Sequence, residues 1–135
     1  MAKTWTRSND DKAAEFAGGL NAFYAGGSVR FLDSEGDVIA TQALHDTTPF
    51  TVSAGVANVQ RNSGGGFNAA SITPSADGTI AFISINKSDG TEGRRAAAAE
   101  TGSGGAADAV LTMNNLTVTT LSPIVCSSDL TITVG

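Results

Sequence analysis

Apolar and polar positions alternate along most of this chain, and the apolar positions are densest at residues 79–86, Thr-Ile-Ala-Phe-Ile-Ser-Ile-Asn. In an extended segment Ile80 and Phe82 point to one side, while Ala81, Ile83 and Ile85 point to the other. A run that is apolar on both faces predicts an interior strand. Asp77-Gly78 before it and Ser88-Asp89-Gly90 after it supply the turn chemistry that bounds it.

Residues 1–8 have no periodicity and form an arm, in which Trp5, the only tryptophan, lies between Lys3 and Arg7. A large aromatic in a polar arm either tucks onto its own domain or docks on a neighbour, and Trp and Arg are favoured interface anchors. Ser8, with Asp11 three residues on, starts a helix in capping-box fashion, and Asp10 and Asp11 sit where the helix dipole favours them. The predicted helix spans about 9–25, with Ala13, Phe16, Ala17, Leu20, Phe23 and Tyr24 forming its apolar stripe. Gly18 and Gly19 each weaken it by about 1 kcal/mol relative to Ala. Packing on the sheet, or on a copy of itself, must therefore hold it, and Gly26-Gly27 stops it.

The strands follow. Residues 28–33 and 37–44 alternate on either side of Asp33-Ser-Glu-Gly36 and predict a hairpin; His45 to Pro49 breaks the pattern, and 50–53 resumes it. The Gly/Ala/Asn-rich stretch 54–74 suggests a mobile loop tip around Ser63-Gly-Gly-Gly66, with one further strand at 67–73. The run Ala96 to Ala99 favours helix locally but is too short to form one unaided, so 93–100 is expected to be a strand or an irregular excursion. Alternation returns at 108–113, 116–121, 124–126 and 130–134, with threonine outward and aliphatic residues inward. About eight short strands predict a mainly β fold, a β-sandwich or jelly-roll-like domain with one N-terminal amphipathic helix. The organisation is an arm, 1–8, and a single β-rich domain, 9–135.

Composition agrees with this pattern. Of 135 residues 41% are hydrophobic, 16% are charged and 16 are glycine, which suits short strands and tight turns better than a helical bundle. A net charge of -5 provides no basic field for nucleic acid or an anionic membrane. The N-terminus lacks a signal-peptide pattern and no segment is long and apolar enough to span a membrane, so a cytoplasmically made, soluble chain is expected. Cys126, the only cysteine, cannot form an intrachain disulfide and is expected to be a small buried hydrophobe.

No catalytic, cofactor or metal site emerges. His45 beside Asp46 reads as a solvated turn, since a general base needs a nucleophile in reach. Asp33, Glu35 and Asp37 have the alternation of a calcium loop, but Leu44 stands where its bidentate carboxylate belongs, and a hairpin turn is the simpler reading. Ser63 to Gly66 lacks the Gly-Lys-Ser/Thr ending of a phosphate cradle, and Arg94-Arg95 reads as a solvated pair.

The order of segments carries a resemblance. Leu20-Asn-Ala-Phe-Tyr-Ala-Gly-Gly-Ser-Val-Arg-Phe31, Val38-Ile-Ala-Thr-Gln-Ala-Leu44, Gly78-Thr-Ile-Ala-Phe82 and Val125-Cys-Ser-Ser-Asp-Leu-Thr-Ile-Thr-Val134 resemble the small virion proteins of tailed bacteriophages. These have an N-terminal helix, a Gly-Gly-led first strand, an Ile/Leu-Ala-Thr second strand and a Ser-Ser-x-Leu-Thr-Ile close; Ala96 to Ala99 departs from the pattern. The resemblance implies a non-enzymatic capsid decoration or cement protein. It would sit on the head exterior, be made in the host bacterial cytoplasm, and bind the major capsid protein or another virion structural protein as a homo-oligomer, with a trimer favoured. Trp5 and Arg7 would be its partner-binding anchors. A tail or fibre component that binds a host glycan is the alternative, and would need a groove lined with aromatics.

Overall fold

The computed structural model describes residues 18–53, 56–100 and 111–133. The fold is mainly β: β1 (Ser28–Leu32), β2 (Val38–Ala43), β3 (Phe50–Ser53), β4 (Val56–Val59), β5 (Ser71–Ile72), β6 (Gly78–Thr79), β7 (Phe82–Asn86), β8 (Glu92–Glu100), β9 (Leu111–Met113), β10 (Thr117–Val118), β11 (Ile124–Val125) and β12 (Thr131–Thr133). A curled five-stranded sheet has the order β2-β1-β7-β8-β9, parallel only between β8 and β9; a three-stranded antiparallel sheet has the order β12-β4-β3. The pairs β10-β6 and β11-β5 complete it. One buried apolar cluster draws on all of these sheets and on the helix, with Phe31, Phe50, Phe67, Ile80 and Leu111 among its most enclosed side chains.

The segment expected as one strand at 79–86 is divided. Thr79 pairs with Thr117 of β10, Ile80 N–H donates to Leu116 O at 2.7 Å, and Ala81 N–H then donates to Leu32 O at 2.7 Å. The chain changes partners at 80–81, so one apolar run serves two sheets. Beyond the break β7 is an interior strand as expected, held by β1 and β8. Its faces differ from the expectation, however. Ile83 and Ile85 are buried on one side, and on the other Phe82 is only half-buried while Ser84 and Asn86 are buried. Ser84 Oγ donates to Asn86 Oδ1 at 2.7 Å and Asn86 Nδ2 to Gly90 O at 3.2 Å, which satisfies groups that would otherwise be costly to enclose.

Residues 18–24 are helical, and the rest of the predicted helix, 9–17, lies outside the described residues. Leu20 and Tyr24 enter the chain's own core. Asn21 fastens the helix to β3, accepting from Phe50 N–H at 2.8 Å and donating to Phe50 O at 3.3 Å. Phe23, assigned to the apolar stripe, is 49% exposed instead, its ring edge-on to Tyr24 at 4.7 Å. The helix stops where expected, at Gly26 with φ 70, and Gly27 N–H donates to Tyr24 O at 2.8 Å.

The β1–β2 hairpin forms as predicted, Asp33 Oδ1 accepting from Glu35 N–H and Asp37 N–H, both at 2.9 Å. The glycine-rich stretch conceals β4, which the expectation of a loop missed: Val56, Ala57 and Val59 pair with β3 and β12. Ser63 to Gly66 is a hydrogen-bonded turn built on Arg61, whose N–H donates to Gly65 O and whose Nε donates to Gly66 O, each at 2.8 Å. The strand expected at 67–73 shrinks to β5, because Ala69 has φ 66 and Ala70 N–H bonds back to Phe67 O at 2.9 Å. The alanine run is a strand, β8. Expected strands at 116–121 and 124–126 shorten to β10 and β11, with Leu121 93% exposed on the turn that Ser122 N–H closes onto Thr119 O. In β12 both Thr131 and Ile132 are half-buried, a weaker alternation than expected. Positions 108–110 and 134 lie outside the described residues.

Candidate functional site

A groove of about 420 Å³ opens between β7, β8 and β12. Strand alternation builds its floor. Ile83 and Ile85 share a face of the five-stranded sheet with their β1 partners Phe31 and Val29, and with Ala96 and Arg94 of β8. Leu130 and Ile132 face them from the three-stranded sheet, with Thr131 between. The sheets meet at the shared core and part at this rim.

Arg94 and Arg95 are adjacent in sequence and diverge in space. Arg94, opposite Ile85, stands exposed at the mouth of the groove, and no carboxylate among the described residues pairs with it. Arg95, opposite Ser84, turns to the other face, where its Nε meets Glu92 Oε1 at 2.9 Å and its guanidinium lies over the Phe82 ring at 5.5 Å. Expected as a solvated pair, they are two separate features. Among the described residues the lining holds no other ionisable side chain. A guanidinium stays charged and is donor-only, so the groove can bind an anionic group beside aliphatic surface.

The other singled-out residues lie elsewhere. His45 organises its own turn: Nδ1 accepts from Thr47 N–H at 3.3 Å and Thr48 N–H at 3.1 Å. The ligand atoms of Asp33, Glu35 and Asp37 lie within 4.8 Å of one another in the hairpin turn, where Asp33 is already engaged with backbone N–H groups. Asp89 likewise accepts from Thr91 N–H at 2.9 Å, and that bond holds its carboxyl below the usual carboxylate range. Trp5 and Arg7 lie outside the described residues. The groove has no signature in the sequence as a whole, because its walls come from strands far apart in the chain. One signal was present: in β8 Arg94 alternates in step with Ala96, which places it on the inward face.

Cys126 is buried, as expected, bridging Met113 in the strand ladder. Burial pushes its thiol up to about 11, with the Arg61 charge pulling the other way. The native protein is therefore expected to resist a disulfide-exchange reagent at pH 8, labelling only as fast as it unfolds; immediate stoichiometric labelling would refute the burial. The raised value also sets a pH dependence. The unfolded thiol ionises from about 9 and the folded one from about 11, so this group's contribution to stability is complete below pH 9 and is lost as pH rises to 11.

Comparison with protein-family models, curated proteins and solved structures finds no match to this chain.

Proposed function

We propose that this chain is a non-enzymatic structural protein of a tailed-bacteriophage virion, a decoration or cement protein that binds the outer head surface and bridges shell subunits. Its finer architecture is read as a jelly-roll-like sandwich bearing the N-terminal helix, and its working form as a homo-oligomer. The observation that carries the reading is the groove, whose aliphatic lining and permanently charged Arg94 suit it to holding a protein surface. The resembling segments support it: they supply most of β1, all of β2, β6 and β12, and the start of β7, which together frame the groove. A glycan-binding role is less well served. Phe31, Phe50 and Phe67 are fully enclosed, and among the described residues none that lines the groove is aromatic.

Quantitative mass spectrometry of purified particles tests the proposal by counting this chain against the major shell protein. On the order of hundreds of copies per particle is expected, as for a component repeated over a symmetric lattice. A few copies would move the chain to the tail or a vertex, and its absence from particles would overturn both structural readings.

A further inference from the structure

We infer that the groove between β7, β8 and β12 is the anchor site for the shell partner, and that it takes a segment presenting an aliphatic side chain beside a carboxylate. The aliphatic group enters over Ile83, Ile85 and Ile132, and the carboxylate meets Arg94. This rests on the reading that the chain binds a virion shell.

Charge and burial argue for that occupant. Ile83, Ile85 and Leu130 are between 2% and 4% exposed, so they form a floor that an incoming group touches only from the groove. Ala96 and Ile132 are half-buried walls whose remaining apolar surface gains by being covered. An occupant that covers them also crowds Arg94 and strips water from its guanidinium. A purely apolar segment would leave that charge desolvated and unmatched, whereas a carboxylate restores a charge-assisted hydrogen bond. Arg94 is available for this because its neighbour Arg95, not Arg94 itself, is engaged by Glu92. The chain as a whole carries -5, so general attraction to an acidic partner is absent and the Arg94 contact must be local. At about 420 Å³ the groove has room for several side chains of a docking segment, the scale of an anchor pocket within a larger contact.

The experiment measures binding of the full chain to phage heads assembled without it, by cosedimentation across a concentration series. Wild-type chain is expected to saturate the heads. Arg94→Glu and Ala96→Phe, the second of which puts a ring into the groove beside Ile83, are expected to weaken binding about tenfold or more. Arg94→Lys should recover part of the loss. Arg30→Glu makes the same charge change on the opposite face of the sheet, where Arg30 pairs with Ser84, and is expected to bind as wild type. Should Ala96→Phe fail to fold, the Arg94 series decides alone, since that side chain is exposed. Binding of Arg94→Glu within twofold of wild type overturns the anchor site and leaves the shell reading standing. An equal loss in Arg30→Glu overturns it too, by reporting bulk charge. If wild-type chain does not bind the heads, the shell reading falls and the anchor site with it.

Discussion

Replacing Gly27 with Ala is expected to lower the unfolding free energy by about 3 kcal/mol or more, a large share of a small domain's stability. Gly27 is buried where the helix hands over to β1, and Leu44 N–H donates to its carbonyl at 3.0 Å. A Cβ there would stand inside the contact radius of Asn86 O, 2.9 Å from Tyr24 O and 3.1 Å from the Asn86 carbonyl carbon. All three are backbone atoms, so no rotamer relieves the clash, and either β7 or the end of the helix must shift. Gly26→Ala is the comparison. Gly26 has φ 70 but meets nothing nearer than Ser88 Cβ at 3.8 Å, so its substitution costs only the left-handed backbone, about 1–2 kcal/mol. Urea unfolding of both variants measures the difference. A Gly27→Ala loss no greater than that of Gly26→Ala would refute the close approach of the two backbones.

The glycine pair illustrates what a sequence makes legible. That Gly26-Gly27 ends a helix follows from local chemistry, and so does the β1–β2 hairpin, where Asp33 and Gly36 supply a turn between alternating segments. That Gly27 must also admit the Asn86 carbonyl is a long-range fact with no local signature. The same division explains the other outcomes. The run through Ile80 and Ile83 is apolar on both faces whether it forms one strand or two, so hydropathy could not reveal that its backbone leaves β10 for β1 at Ala81. The strand Val56–Val59 was hidden by its small, polar neighbours, and what fixes it is pairing with β3 and β12. In β8 tertiary pairing with β7 and β9 overrides the helical preference of four alanines. Helical period alone places Phe23 inward, yet Leu20 and Tyr24 already fill the contact with the core and leave Phe23 outside.

The candidate site was less legible than the fold, for a related reason. Each groove residue reads singly as core or as surface: Ile83 and Ile85 as core, Arg94 as a solvated charge. Only the placement of Leu130 and Ile132 across from them makes a groove, and that depends on β12 pairing with β4, far earlier in the chain (Ile132 opposite Ala57). Sequence alternation could say which face Arg94 takes but not what stands opposite.

Phe31→Ala should produce the largest loss among side-chain truncations, about 3–5 kcal/mol, or roughly 10–20 °C in melting temperature. Phe31 is completely buried in β1, between Ala40 of β2 and Ile83 of β7. Hydrogen bonding on both edges fixes the spacing of those three strands, so the sheet cannot close over the vacated ring, and most of its volume remains as a cavity. Phe23→Ala removes a side chain of the same size with a different expected result. Phe23 is 49% exposed, and its enclosed contacts are the edge of Tyr24 at 4.7 Å and the ammonium of Lys87 at 4.9 Å. Losing these is expected to cost about 1 kcal/mol. Phe31→Leu should recover much of the Phe31→Ala loss, because it restores apolar volume without needing the ring's shape. Calorimetric melting of the three variants checks the ordering. Equal losses in Phe23→Ala and Phe31→Ala would mean that the ring of Phe31 is not enclosed by β2 and β7. The floor of the groove would then be misplaced as well, since Ile83 lies opposite Phe31 in the same ladder.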